Sequence, residues 1–595
     1  MAVGCRAGSC RNTCSLRRWT GSQGFVHHAR SCFENESYPA DTASFRISPA
    51  YDGDVSMVKL APQAVPDPDI NEPTDVRQVF PQRVGSSTEG VVSTQHYLAT
   101  QAGVEMLRNG GNAVDAAVAA AFALGVVEPA ASGLGGQTMM LIHLAESKRT
   151  FCLDGGTRAP NRTPIGVLNR NEQLRGYMAS TVPSTPAVLE YALRWYGTKS
   201  FADTLAPSIE AATKGYRISN LQHFLLKREL KHLRTHSASQ FFLKGGKSLY
   251  PVAAIFKQPV LAETFKRLAE AGVEEFYQGE IAKAIHEDME ANGGLIRDDD
   301  LARIPWPVER KPITGKFGAA RVATFAPPGA GRTLIEALNI LQQLPESQRN
   351  PDMPEGVLAL AHVIRKANLD RSDRPSDPAL FAQELALDED ITHIEYAARV
   401  AKRIQKRLKT SGETTHLSVM DKEGNVVTLT QSIERVFGSF TASPKLGFLY
   451  NNYMSAFEYE DITHPYYLRP NAVPWASVAP TILFKRGKPW LALGSPGSER
   501  IVSAILQVLL RLDQGASPLD AVEAPRMHCN PEGKVSLEAT RMRSDIPKLL
   551  KKHGFTIDER DPYSFYLGCV QLVRMTKAGI EGVADPRRDG SAEGP

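Results

Sequence analysis

The sequence predicts an α+β protein in which helices and antiparallel sheets pack in layers, and three observations carry that prediction. Apolar residues alternate in "HLSVMDKEGNVVTLTQSI" (416–433), which reads as two strands around a "DKEGN" turn. "PTILFKRGKPWLALGSPG" (480–497) repeats the hairpin pattern and runs through a glycine-containing loop into a helical stretch, "ERIVSAILQVLLRLDQG" (499–515). Near the other end, "AVDAAVAAAFALGVV" (113–127) has small apolar side chains all round, which suits a helix buried tightly against a sheet. Elements whose apolar faces must all be covered settle into layers.

The elements follow in order. Residues 1–80 lack sustained periodicity and turn Pro-, Ser- and Asp-rich near "APQAVPDPDINEP", so they read as a leader, disordered or targeting. "GVVST" opens the globular sequence as a strand, and a helix follows from about Leu98 to Arg108. "NGG" (109–111) stops that helix, because glycine takes the left-handed conformation at little cost. Asn112 then caps the alanine-rich helix. "ASGLGGQTMMLIHL" (131–144) is a glycine turn entering a strand, with "RTFCLDGG" (149–156) as its hairpin partner. Segments 185–215 and 260–295 have helical periodicity, and the polar stretch "RSDRPSDPALF" (371–381) and basic "AKRIQKRLKT" (401–410) lead to Thr414. "GFLYNNY" (447–453) reads as a further strand.

Composition excludes several classes of function. The 595 residues carry a net charge of +4, but residues 1–33 hold five arginines and no acid, so the remainder is close to neutral. A near-neutral body gives no electrostatic reason to expect nucleic acid or a membrane as partner. The most apolar run is too short to span a bilayer and contains Asp115. Four of seven cysteines fall within the first 32 residues, and their spacing fits neither a disulfide framework nor a zinc site. The arginine- and serine-bearing N-terminus is weakly transit-like and lacks the apolar core of a secretory signal, which leaves the compartment open. The sequons at Asn35 and Asn161 carry little weight without such a signal.

Other motifs read as structural. "GLGGQ" (133–137) lacks GxGxxG spacing and "PPGAGRT" (327–333) lacks a phosphate-loop lysine, so both read as turns with close backbone packing. No GxSxG elbow supports a Ser-His-Asp hydrolase. His528, beside Cys529, has no second ligand at helical or turn spacing and reads as structural.

Five motifs in order exceed this background: "NGGNAVDAAVAAA" (109–121), "TTHLSVMDKEGNVVTLTQS" (414–432), "LYNNYM" (449–454), "GSPGSERI" (494–501) and "ADPRRDG" (584–590). Together they resemble the gamma-glutamyltransferase (glutathione hydrolase) family of N-terminal-nucleophile enzymes over roughly residues 80–590. The resemblance implies a four-layer αββα sandwich. It also implies cleavage between Glu413 and Thr414, giving a large fragment (81–413) and a small catalytic one (414–595) that stay associated as a heterodimer. Thr414 would be the nucleophile, with its freed α-amine as base, because a hydroxyl without a base is a weak nucleophile. An α-amine titrates near pH 8, so a useful fraction is neutral at working pH. Ser432 would support the nucleophile, and backbone amides at Gly497 and Ser498 would form the oxyanion hole. The mechanism needs neither a metal nor an organic cofactor. Its partners are a small-molecule amide and water or an amine acceptor.

Substrate recognition departs from the family pattern. The family's carboxylate-binding arginine falls at Gly156, with Arg158 displaced by two. Its asparagine falls at Glu434, its glutamine and aspartate at Tyr453 and Ala456, and its serine pair at Ala476 and Ser477. Arg158, Glu434, Tyr453 and Ser477 are therefore the candidate substrate-binding residues. A carboxylate facing Glu434 would be repelled. The resemblance thus implies an enzyme for gamma-glutamyl or glutathione-conjugate-like amides. The alternatives are an acylase or amidohydrolase for another small amide, as in cephalosporin acylase and oxamate amidohydrolase relatives, or an inactive binding protein on the same fold.

Overall fold

The alternation after Thr414 places two kinds of side chain on two faces. A computed structural model describes residues 82–170, 172–375, 391–401 and 414–595; the leader expected over 1–80 and Glu413 lie outside them. In the strand Thr415–Asp421, Leu417 and Val419 join a core beneath helices, while Met420 joins a core between two sheets. Both faces are buried, as in the middle of a sandwich.

Two seven-stranded sheets form the middle layers, and every pairing within them is antiparallel. The first runs Ser591–Glu593, Gly90–Thr94, Thr415–Asp421, Val426–Ser432, Gln137–Leu144, Arg149–Gly155 and Val308–Arg310. The second runs Val84–Ser87, Gly579–Ala584, Gln571–Thr576, Lys488–Gly494, Thr481–Lys485, Ala320–Thr324 and Ile313–Phe317. Tyr97–Arg108 and Ala113–Val127 are among the helices covering the first sheet, and Gly331–Gln342, Pro354–Asp373 and Arg500–Asp513 are among those covering the second. The expected four-layer αββα order is the one observed. Among the described residues, no helix is long and apolar enough to cross a membrane.

Local chemistry explains the helix ends. Gly110 takes φ 79° just past the first helix. Asn112 Oδ1 accepts from the amides of Val114 (2.8 Å) and Asp115 (3.2 Å), and Asp115 Oδ2 accepts from the Asn112 amide, which completes a capping box. Small residues permit close contact: a Cβ on Gly103 would stand 3.0 Å from the Ala116 carbonyl. The glycine loops pack as turns do. Cβ atoms at Gly135 and Gly136 would lie 2.1 Å from the Leu449 carbonyl and 2.4 Å from that of Ser432. His528 Nδ1 sits 2.8 Å from Ser503 Oγ in the core beneath Arg500–Asp513.

One expected element differs. Residues 447–453 form no regular strand and touch their neighbours through isolated bridges at Leu449 and Tyr450. Gly447 takes φ 74°, and the irregular backbone is satisfied by side chains instead of a ladder. Asn451 accepts from the Thr181 and Tyr453 amides and donates to the carbonyls of Gly135 and Thr181. Asn452 accepts from the Arg435 amide and donates to the Leu174 carbonyl. The paired asparagines are the scaffold of this loop.

The C-terminal "ADPRRDG" stretch anchors the small end of the chain through buried charges. Arg587 grips Glu538 with two hydrogen bonds of 2.8 Å and Asp585 at 3.1 Å, while Arg526 pairs with Asp585, and all four side chains are fully buried. Arg588 donates to Gln95 Oε1 and to Glu128 at the end of the helix Ala113–Val127. Removing one member of such a set strands the others in low dielectric. Arg587→Ala is expected to cost on the order of 3–5 kcal/mol, read as a lower urea midpoint with an unchanged m-value.

Candidate functional site

Strand register sets the site. Thr415 pairs with Gln431, and the pairing steps evenly to Met420 opposite Val426. One step back along the same register sets Thr414 across from Ser432. Ser432 pairs with Gln137, and Thr138 pairs with Gly155, so the row continues through Gln137 to Gly156. Residues opposed in this way share a face of the sheet. Thr415 lies on the other face, its hydroxyl donating to Gln95 Oε1 at 2.9 Å and contacting the Glu128 carboxylate. The row Thr414–Ser432–Gln137–Gly156 therefore faces the space between the sheets. Thr414 and Ser432 are only 4% and 1% exposed.

The facing sheet supplies the second half. The strand Lys488–Gly494 ends against His416, where a Cβ on Gly494 would lie 2.2 Å from the ring. The chain then turns through Ser495 and Pro496 to Gly497 (φ 112°) and Ser498 (φ 52°). Among the described residues, neither of these two amides donates to a protein acceptor. Successive amides in left-handed geometry form a concave nest for negative charge. Ser498 holds that geometry without being glycine, a strained conformation of the sort that gathers at working sites.

His416, two residues from Thr414, is not available as a base. Its Nδ1 sits 2.9 Å from Thr430 Oγ1, and its Nε2 sits 3.0 and 3.2 Å from the Thr428 and Ser418 hydroxyls. Burial lowers its pKa to about 3, so it stays neutral.

Ser432 is heavily engaged. Its Oγ accepts from the Glu434 amide at 2.8 Å, and the Tyr453 hydroxyl lies between the side chains of Ser432 and Gln137. Burial raises the Tyr453 phenol well above its ordinary value. Glu434 takes φ 77°, and among the described residues nothing donates to its carboxylate. Burial raises the Glu434 carboxyl to about 7, with Arg435 pulling modestly the other way.

The other expected residues divide. The Arg158 guanidinium donates to the Arg303 carbonyl at 3.1 Å, which commits it to the segment following the short helix Asp298–Ala302. Gly156 has no side chain and little room for one where the family pattern has its clamp arginine. A Cβ there would meet Val473 at 3.1 Å and Met139 at 3.5 Å, and the adjacent Asp154 is paired with Arg310 at 2.7 Å. Ser477 Oγ accepts from Arg371 at 3.2 Å, and Arg371 also donates to the Ala476 carbonyl at 2.6 Å. Glu499, next to the nest, faces Arg371 electrostatically.

Sequence reasoning passed over Gln137 and Arg371. Gln137 closes "GLGGQ", a stretch read only as a turn, and its Oε1 accepts the Thr157 amide at 2.9 Å. Arg371 stood in a stretch read only as polar. The whole arrangement can present a hydroxyl on Thr414, a supporting hydroxyl on Ser432 and two amides for a developing oxyanion.

Comparisons with known proteins agree on one group. The Gamma-glutamyltranspeptidase family profile matches residues 99–594. The chain is 32% identical over 556 residues to the glutathione hydrolase proenzyme of Bacillus subtilis strain 168, covering 86% of this chain and 92% of that one. It is 31% identical over 473 residues to the acylase ACY 1 proenzyme of Pseudomonas sp. strain SE83, covering 75% and 83%. Among solved structures, cephalosporin acylase from Bacillus halodurans superposes with a TM-score of 0.75 at 26% identity, covering 90% of this chain and 99% of that one.

Glu434 yields a pH prediction. Its raised pKa means that the fold favours the neutral acid, so this contribution to stability is full below about pH 4.5 and is lost as pH rises through about 7. Glu434→Gln should therefore stabilise the protein at pH 8 by on the order of 1–2 kcal/mol, discounted for partial exposure, and change little at pH 4. Thermal unfolding at the two pH values reads the difference.

Proposed function

The chain belongs to the gamma-glutamyltranspeptidase family, and on that premise we propose that it is a self-processing threonine amidohydrolase or acyltransferase acting through an acyl-enzyme. The observation that supports this reading is the register that sets Thr414 across from Ser432, together with the left-handed Gly497 and Ser498 that follow a strand packed on His416.

In maturation, the Thr414 hydroxyl attacks the Glu413 carbonyl. The peptide C–N bond breaks, the freed α-amine takes up the proton, and water cleaves the resulting ester. In turnover, the Thr414 amine accepts the hydroxyl proton as Oγ attacks the substrate amide. The Gly497 and Ser498 amides donate to the tetrahedral oxyanion. Collapse expels the substrate's amine with that proton and leaves an ester on Thr414. Water or an amine acceptor then attacks the ester, releasing acid or a new amide. Ser432, one register step across from Thr414, is the hydroxyl that supports the nucleophile in this reading. The two fragments, 81–413 and 414–595, work as an associated heterodimer.

Two readings of the acyl group compete. Gamma-glutamyl or a glutathione-conjugate-like group is supported by the glutathione hydrolase relatives. A non-glutamyl acyl group is supported by Gly156, Glu434, Tyr453 and Ala456, which leave no matched pair for a glutamyl ammonium and carboxylate. The acylase relatives add to that second reading.

The purified protein should run as two fragments, the smaller beginning at Thr414 by N-terminal sequencing. Thr414→Ala should remain one chain and lose at least a thousandfold in anilide turnover. A wild-type chain that stays intact through long incubation would sink the assignment.

A further inference from the structure

We propose that Glu434 makes the acyl pocket select a protonated amine, so that the preferred substrate is an amino-acyl amide bearing no carboxylate on its acyl part. This rests on Thr414 being the nucleophile, and it names the chemistry that nucleophile is offered.

Charge accounting along the row leads there. Glu434 is fixed two residues beyond Ser432, its amide bound to the Ser432 hydroxyl at 2.8 Å. That placement brings its carboxylate within electrostatic reach of the buried Tyr453. At the far end of the row, Gly156 contributes no side chain and the space is narrowed by Val473 and Met139. Asp154 beside it already has Arg310 as partner.

Two cations that could receive a carboxylate are committed elsewhere. Arg158 holds the Arg303 carbonyl. Arg371 is bound to Ser477 and Ala476 and faces Glu499. Arg435 is the one cation that acts on Glu434, and it favours the ionised carboxylate. Among the described residues nothing donates to the Glu434 carboxylate. An ammonium there gains a charge-assisted bond, whereas a substrate carboxylate meets like charge in a poorly solvated site. Ala456 stands where the family pattern has an acid, so recognition of a cation has moved to Glu434.

Three p-nitroanilides of equal chain length separate the possibilities: pentanoyl, 5-aminopentanoyl and glutaryl. With the processed wild-type protein, kcat/KM should rank 5-aminopentanoyl above pentanoyl above glutaryl, each step at least tenfold. Glu434→Gln should compress the amine preference to under threefold, and Glu434→Lys should favour glutaryl over 5-aminopentanoyl. Taking ratios within one protein removes any loss of folded enzyme in a variant. Two fragments with turnover, but with glutaryl equal or preferred in wild type, would overturn the role of Glu434 and leave Thr414 standing. A single intact chain that turns over none of the three overturns both.

Discussion

Everything at this site depends on the register between the strands Thr415–Asp421 and Val426–Ser432. A slip of one residue would turn the row to the helical face and bring Thr415 to the cleft in place of Thr414. The register is held from both sides. Leu417 and Val419 must remain under the helices, and Thr415 is anchored to Gln95 and Glu128, which Arg588 holds in turn. A terminal "ADPRRDG" motif far away in sequence thus fixes which of two adjacent threonines faces the space between the sheets.

The second constraint lies between the sheets, where this protein places hydroxyls and a histidine among apolar groups. His416 is clasped by Ser418, Thr428 and Thr430, and Ser418 also reaches the Gln571 carbonyl of the facing sheet at 3.3 Å. Directional bonds of this kind specify one alignment of the two sheets, which an apolar filling alone would leave looser. The nest at Gly497 and Ser498 inherits its position from that alignment, because its strand ends on the His416 ring.

Much of this was legible in the sequence because local chemistry was strong. The Asn112 cap, the Gly110 stop and the hairpin closed by Arg486 and Gly487 each announce themselves in a few residues. The layers followed from an alanine-rich helix and alternating strands. Residues 447–453 misled because "GFLYNNY" has strand composition, while its conformation is set by contacts with Thr181, Leu174 and Gly135 that lie far off in sequence. Gln137 and Arg371 were invisible for the same reason: one acquires meaning only from the cross-strand row, the other only from the loop at Ser477. Arg158 shows the converse, a residue type that matched expectation and whose guanidinium holds a carbonyl.

The interleaving of the sheets bears on what a cut before Thr414 would do. Each sheet contains strands from both sides of that bond: Thr415–Asp421 lies beside Gly90–Thr94, and Thr481–Lys485 lies beside Ala320–Thr324. Neither piece keeps a complete sheet or a covered core by itself. The intact precursor can fold as a single molecule, with every contact within reach of one tether. Once cut, separation of the pieces is unfolding, and reunion becomes an encounter between two exposed, edge-rich chains whose rate depends on their concentration. Cleavage would then act as a ratchet: folding happens once, under the precursor's rules, and the mature protein persists by the height of its unfolding barrier instead of by returning from the unfolded state.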